Sequence, residues 1–393
     1  MKQSLDSTSS EDRRARMKQV KRLVVKIGSS SLASRGNQLN RNIIKKLVED
    51  VVALREQGIE VSIVSSGAVA AGMGRLELET RPRSIADLQA IAAVGQNLLM
   101  HTYKTLFERH QVPSGQVLLT AEDILYDRRR YLNLENTFRS LFAYKAVPII
   151  NENDSVAVAE LRRTIGENDM LAAYVANMIR AQLLVILSDV EGLYSSYKSN
   201  GSRGDLIRQI QYGDPGLDRV EGKSTNQLGR GGMETKIRAA RLLMACGEMT
   251  VIAHARKHRL VDILAGKELG TLFIPSRKRL QSRKRWIGFA SPCKGSVVVD
   301  KGAKGAIIER GKSLLPAGVI ASHGSFKAGD VIRIKDEQNE ELGRGLSRYT
   351  SEEIQGILGK SSPEIEKALG RPALEVIHRD DLVLIEEKFP PEN

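Results

Sequence analysis

The sequence predicts an α/β fold: a mainly parallel sheet sandwiched by helices, followed by a small β-rich domain. Three observations carry that expectation. Between Lys21 and Pro275, short runs are almost continuously apolar, and the longer stretches separating them repeat apolar residues at helical spacing. After Pro275 both patterns give way to short segments broken by glycines. Unbroken hydrophobicity suits strands buried on both faces, and strands alternating with helices imply βαβ units.

In chain order the strand candidates are Leu23-Val24-Val25, Val61 to Val64, Val117-Leu118-Leu119, Val147 to Ile150, Leu183 to Leu187, Thr250-Val251-Ile252 and Leu272-Phe273-Ile274. Ile43-Ile44, Leu47-Val48, Val51-Val52 and Leu54 fall on one face of a helix after the first run. Leu88, Ile91, Ala92, Gly95, Leu98 and Leu99 do the same before the third. Helices are also expected over Leu171 to Ile179 and Ile237 to Met244. In the glycine-punctuated part, Ser296 to Val299, Ala306-Ile307-Ile308 and Val331 to Ile334 read as strands of a barrel or sandwich, closed by Val383-Leu384-Ile385. The expected organisation is a disordered extension over 1–19, an α/β domain over 20–276, a basic linker over 277–293, a β-rich domain over 294–386 and a tail over 387–393.

Composition narrows the function classes. A chain of 393 residues with 41% hydrophobic content can bury a sizeable core in two domains. No apolar run reaches the roughly 18–20 residues of a membrane span, and the first twenty residues lack a signal-like apolar core, which predicts a cytoplasmic protein. Cys246 and Cys293 are too few for a disulfide framework or a four-thiolate zinc site. The net charge of +13 suggests nucleic acid, but ten of those charges sit in residues 1–22 and 277–285. The basicity is local, and the rest of the chain is nearly balanced.

Five constellations could carry chemistry. Lys26, at the end of the first strand, needs an anion if it is buried, and Gly28 allows backbone N–H groups to approach one. Ser65-Ser66-Gly67 turns a strand into a small-residue helix whose free N–H groups suit a phosphate or carboxylate, although serine capping alone would explain it. Asn151 to Asp154 crowd behind a strand, and Gly166 to Asp169 crowd before a helix, where open α/β sheets form their crevice. Ser188-Asp189 end a strand that turns through Gly192. Gly229 to Gly232, then Met233, Glu234, Thr235 and Lys236, open a helix, and Lys236 opposes the helix macrodipole unless an anion is near. There is no Walker-type loop, no zinc-protease motif and no histidine spacing for a metal.

Taken in order, Lys26 to Ser30, Ser65 to Gly72, Ile150 to Asp154, Gly166 to Asp169, Ser188 to Tyr194 and Gly231 to Lys236 resemble the amino-acid-kinase family, on its glutamate-phosphorylating branch. Val299 to Gly318 resemble the PUA domain appended to many bacterial members. The resemblance covers about residues 20–386. It implies transfer of the ATP γ-phosphoryl group to the side-chain carboxylate of L-glutamate, the first step of proline biosynthesis. For that chemistry Lys26 and Lys236, arriving from opposite ends of the domain, would be the catalytic charge clamp; Asp169 is expected among the catalytic residues, close to the substrate-binding side chains that it would orient. Ser66, Gly67, Asn151, Asp154 and Asn168 would bind substrate. Lys26, Gly28, Ser188, Asp189, Arg230, Gly231, Gly232, Met233, Glu234, Thr235 and Lys236 would bind ATP. Mg²⁺ is expected on the nucleotide and no metal on the protein itself.

The family implies proline as a feedback inhibitor and a dimer or tetramer. Arg230 stands where the family usually has Thr, and Leu161 to Ile165 run longer than the family pattern. Kinases of N-acetylglutamate or aspartate are alternatives within the fold. An RNA-binding protein is the alternative outside it, weakened by the 4% aromatic content and the aromatic-free basic run.

Overall fold

The computed structural model describes residues 11–33, 39–125, 128–157, 167–196, 203–214, 232–275, 287–288 and 293–384. The chain forms two compact units, residues 1–123 with 128–279, and residues 124–127 with 280–393. The larger holds β1 (Arg22–Ile27), β2 (Glu60–Ser65), β3 (Ser114–Leu119), β4 (Val147–Glu152), β5 (Leu183–Ser188), β6 (Gln209–Gln211), β7 (Met249–His254) and β8 (Thr271–Ile274). They form one sheet in the order β3-β4-β2-β1-β5-β7-β8-β6, in which only the β7–β8 pairing is antiparallel. Each predicted run lies within a strand. β6 escaped notice because Ile210 is the one buried residue in a strand of three.

Alternation along the strands sorts side chains into two layers. Val25, Ile27, Ile63, Ile149, Val185 and Val251 pack with Ile44, Leu47, Val51, Tyr103 and Phe107. Those partners come from the helices Arg41–Glu56 and Ile85–Glu108, whose periodicity was legible. Lys26 has the opposite parity on β1 and faces the helices Glu167–Met178 and Gly232–Cys246. The chain leaves β1 toward β2 on one side and later returns through β5 on the other. The carboxyl end of β1 is therefore a topological switch point, where such sheets open a crevice.

The extension differs from expectation. Residues 11–18 are helical, and Met17 and Val20 are buried in the core. Arg13, one turn before Met17, donates to the Leu269 carbonyl at 2.5 Å. Burial lowers its guanidinium pKa to about 10. The dense charges around Met17 hide a short amphipathic turn from a composition-based reading. Residues 1–10 lie outside the described residues.

The smaller unit has β9 (Gly295–Val299), β10 (Val319–Gly324), β11 (Val331–Lys335), β12 (Glu341–Leu346) and β13 (Leu382–Leu384), in the order β10-β9-β11-β12-β13. The expected strand at Ala306-Ile307-Ile308 is instead the end of the helix Lys301–Ile308. Asp300 starts that helix by accepting from the Ala303 N–H at 2.7 Å, and three apolar residues alone cannot separate helix from strand. Two more helices, Ser351–Ile357 and Ser362–Leu369, each begin with a capping box. The unit is thus the expected β-rich domain, a five-stranded sheet accompanied by helices, with residues 306–308 in a helix and not a strand. The basic run 277–285, Ile385 and the tail lie outside the described residues.

Candidate active site

The carboxyl end of β1 delivers Lys26 into the interior, where an ammonium group is tolerated only against opposite charge. Asp169, in the first turn of the helix Glu167–Met178, supplies it. Lys26 Nζ lies 2.5 Å from Asp169 Oδ1, and Lys236 Nζ lies 3.1 Å from Oδ2. Asp169 is 0% exposed, Lys26 5% and Lys236 7%. Lys236 also donates to the Gly232 carbonyl at 2.8 Å, and the Thr235 hydroxyl donates to Asp169 Oδ2 at 3.1 Å. These contacts explain how a lysine survives in the first turns of a helix, against the macrodipole.

The electrostatics follow from the burial. Desolvation pushes the Asp169 carboxyl upward, but the charges of Lys26 and Lys236 together outweigh it and hold the pKa below the usual carboxylate range. For Lys236 desolvation dominates, and the pull of Asp169 does not fully offset it, so this ammonium titrates below the ordinary lysine value. Two ammonium groups around one carboxylate leave an excess of positive charge. In a site shielded from water, that excess suits an anion whose charge grows during reaction.

A chain of amides runs away from this bridge. Asn168 Nδ2 donates to Ser66 Oγ at 2.8 Å and to Asn151 Oδ1 at 3.2 Å. Asn151 Nδ2 donates in turn to Gln96 Oε1 at 2.9 Å. Ser66 is held beside β1 because its N–H donates to the Ile27 carbonyl at 3.1 Å. Gly67 then turns the chain into the helix Ala68–Arg75 at φ 111°, a left-handed value that favours glycine.

The predicted residues therefore assemble in part. Lys26, Lys236, Asp169 and Thr235 form one cluster, and Ser66, Asn151 and Asn168 form the chain joined to it through neighbouring Asn168 and Asp169. Asp154 sits in the turn after β4, partly buried. Gly28 N donates to the Leu187 carbonyl at 3.4 Å, which places it beside the end of β5. There Ser188 Oγ donates to the exposed Asp189 at 2.9 Å. Gly232, Met233 and Glu234 are the first turn of the helix Gly232–Cys246 and not an open loop. Arg230, Gly231 and Leu161 to Ile165 lie outside the described residues.

Gln96 is the residue that sequence reasoning missed. Its signal was a lone amide next to Gly95, on the helix that carries Leu88, Ile91, Ala92 and Leu99 inward. Among the described residues, no helix is long and apolar enough to cross a membrane, and no group of His, Cys, Asp and Glu side chains is arranged to hold a metal.

Residues 21–253 match the amino acid kinase family, and residues 295–369 match the PUA domain. The glutamate 5-kinase of Thermoanaerobacter sp. (strain X514) is 42% identical over 372 residues, covering 94% of this chain and 99% of that protein. The glutamate 5-kinase of Pseudomonas aeruginosa (strain UCBPP-PA14) is 46% identical over 367 residues, covering 93% and 98%. That of Pseudomonas putida (strain W619) is 45% identical over 374 residues, covering 95% and 100%. A structure of carbamate kinase from Giardia lamblia bound to AMP-PNP aligns with 66% of this chain and 99% of that one, at 14% identity and a TM-score of 0.47. With the family matched over more than half its length and such relatives spanning nearly all of it, the chain belongs to the amino acid kinase family, in its glutamate 5-kinase group, and carries a PUA domain.

Proposed function

We propose that the protein transfers the γ-phosphoryl group of ATP to the side-chain carboxylate of L-glutamate, giving L-glutamyl 5-phosphate for proline biosynthesis. The observation that carries this reading is the buried Lys26–Asp169–Lys236 bridge, joined to an amide chain suited to a small polar substrate. The nucleophile is a carboxylate oxygen already ionised at neutral pH, so no base is needed. The new bond joins that oxygen to the γ-phosphorus, and the bond to the β-γ bridging oxygen breaks to release ADP. The barrier comes from bringing two anions together and from charge spreading onto the phosphoryl oxygens and the leaving group.

Lys26 and Lys236 act on that charge. Asp169 holds both ammonium groups in place before any anion arrives, so little reorganisation is required at the moment of transfer. Gly28, Ser188, Asp189 and the start of the helix Gly232–Cys246 receive the nucleotide; Arg230 and Gly231, outside the described residues, belong to the same ATP-binding set by their place in the family motif. Mg²⁺ comes with ATP on its phosphates and supplies further neutralising charge there. Ser66, Gly67, Asn151, Asp154 and Asn168 hold the amino acid.

The direct test incubates the protein with L-glutamate, ATP, Mg²⁺ and hydroxylamine, which traps the acyl phosphate as a hydroxamate. Glutamate-dependent hydroxamate is expected, and product with aspartate or N-acetylglutamate alone would overturn the substrate. Lys26→Ala and Lys236→Ala should each remain folded by circular dichroism yet lose at least about a hundredfold in turnover. Full activity in either removes that lysine from the mechanism.

A pH profile provides a separate check. Because the folded-state pKa of Lys236 is lowered, its charge is lost at a pH below the ordinary lysine value of 10.5. The alkaline limb of kcat/KM should accordingly begin below that value and move upward in Lys236→Arg, since guanidinium stays charged. The amino group of the substrate titrates alike in both enzymes, so an unmoved limb would assign the titration to substrate.

Proline inhibition, titrated in the hydroxamate assay, and a dimer or tetramer, read by sedimentation, belong to the same reading, as does a cytoplasmic location. The PUA domain offers structured RNA a surface, for which the signature is strongly salt-dependent binding.

A further inference from the structure

We infer that Gln96 is a substrate-binding residue whose Nε2 amide donates to the α-carboxylate of the bound amino acid. The inference rests on the glutamate-phosphorylating reading above. Its starting point is an orphaned donor. Gln96 Oε1 accepts from Asn151 Nδ2 at 2.9 Å, so Nε2 is the end of the Gln96 amide turned away from Asn151. Gln96 Nε2 is buried and has no hydrogen-bond partner among the described residues. Buried amide donors are nearly always satisfied, and an orphan beside a polar constellation marks a place where something else accepts.

The polarity of the chain says what that something is. Asn168 Nδ2 donates both to Ser66 Oγ and to Asn151 Oδ1. Ser66 Oγ therefore already accepts, and its own proton is left to donate. Donors presented together by Ser66 and Gln96 suit an anion, and a carboxylate accepts several N–H and O–H bonds at once.

The layers of the fold say which carboxylate. Lys26 faces the helices Glu167–Met178 and Gly232–Cys246, where the phosphoryl group is received. Asn151 shares its strand parity with Ile149, which packs in the other layer, the layer of the helix Ile85–Glu108 that carries Gln96. The amide chain thus crosses the strand ends from one layer to the other. Glutamate has a carboxylate at each end, so with its side chain at Lys26 and Lys236, its α-carboxylate falls toward Gln96. Asp154, as a carboxylate, serves the ammonium group and not this anion.

Gln96→Glu and Gln96→Met separate substrate binding from mere support of Asn151. Glutamate at this position still accepts from Asn151 but replaces the free donor with a negative charge, whereas methionine keeps the length and removes both hydrogen-bonding groups. KM for L-glutamate, KM for ATP, kcat and the melting temperature are measured for each. Gln96→Glu should raise the glutamate KM by roughly tenfold to a hundredfold, as for loss of a hydrogen bond to a charged group. The ATP KM should stay within about twofold in the same variant. With the α-amide of glutamate as substrate, the wild type should discriminate against the amide, and Gln96→Met should narrow that preference.

A glutamate KM near wild type in Gln96→Glu overturns the inference, and so does a fall in kcat with both KM values unchanged. A melting temperature that collapses in both variants, with the preference for glutamate over the α-amide intact, does so too. Hydroxamate formation by the wild type is read first. Its absence rejects the substrate itself, while its presence with an unaltered Gln96→Glu rejects the role of this residue alone.

Discussion

Asp169→Asn is expected to destabilise the protein by about 3–5 kcal/mol, the usual cost of removing one partner from a buried ion pair, and to reduce turnover to near background. Asparagine matches aspartate in shape, so the effect isolates charge. In the wild type a fully buried carboxylate lies between two lysines that are themselves more than nine-tenths buried. Without it, two like charges share an interior site with only the exposed Asp189 acting on Lys236 from a distance, and each is driven to lose its proton or to swing away. Either outcome removes the clamp proposed for the phosphoryl group. The pH dependence gives the sign. The folded-state pKa of Asp169 is lowered beneath its ordinary value of 3.8. Its stabilisation is therefore complete above that value and lost as the pH falls through the folded-state pKa. Denaturant unfolding at neutral pH should show the full difference between variant and wild type, with the two converging in strong acid. Equal stability at pH 7 would mean that Asp169 is not the counter-charge.

Gly95→Ala is the second large effect, expected to cost more than about 3 kcal/mol because the overpacking meets backbone and not a side chain that can rotate. A Cβ at Gly95 would lie 1.8 Å from the Ala68 carbonyl oxygen and 2.3 Å from the Gly72 nitrogen. Gly72 is equally confined, since its Cβ would meet the Ile91 carbonyl oxygen at 1.9 Å. Separating the two helices shifts either the start of Ala68–Arg75, which follows directly on Ser66 and Gly67, or the turn of Ile85–Glu108 that carries Gln96. Any folded fraction of the variant should show a raised KM for glutamate with little change for ATP. Gly356→Ala is the internal control. It lies in the helix Ser351–Ile357 with nothing within 4 Å of the added Cβ, and should be neutral or slightly stabilising. Denaturation midpoints of the two variants falling together would refute the tight crossing.

Legibility in the sequence followed the physics of each element. The strands of the large sheet were readable because burial on both faces leaves no polar interruption, as in Leu183 to Leu187. Lys26 and Lys236 were readable because each breaks a local rule, one by charging a buried strand and the other by opposing a helix dipole. Asp169 could be placed near them but not between them, since that geometry joins β1, the helix Glu167–Met178 and the helix Gly232–Cys246 across more than two hundred residues. Gln96 and the docking of residues 11–18 were not legible for the same reason: their partners, Asn151 and Leu269, are distant in the chain. In the smaller unit, Ala306 to Ile308 misled because a short apolar run fits either periodicity, and only the Asp300 cap decides between them.

The central place of β1 has a consequence for how the chain is made. It precedes the other described strands in the chain, yet it pairs on one edge with β2 and on the other with β5. Everything from Arg22 to Ser188 must be synthesised before that second edge can close, on the order of ten to thirty seconds at ordinary elongation rates. Throughout that interval the nascent chain carries an open edge of Val24, Val25 and Ile27, the kind of surface that recruits wrong partners. The strand that places Lys26 is thus also the one longest in need of chaperoning.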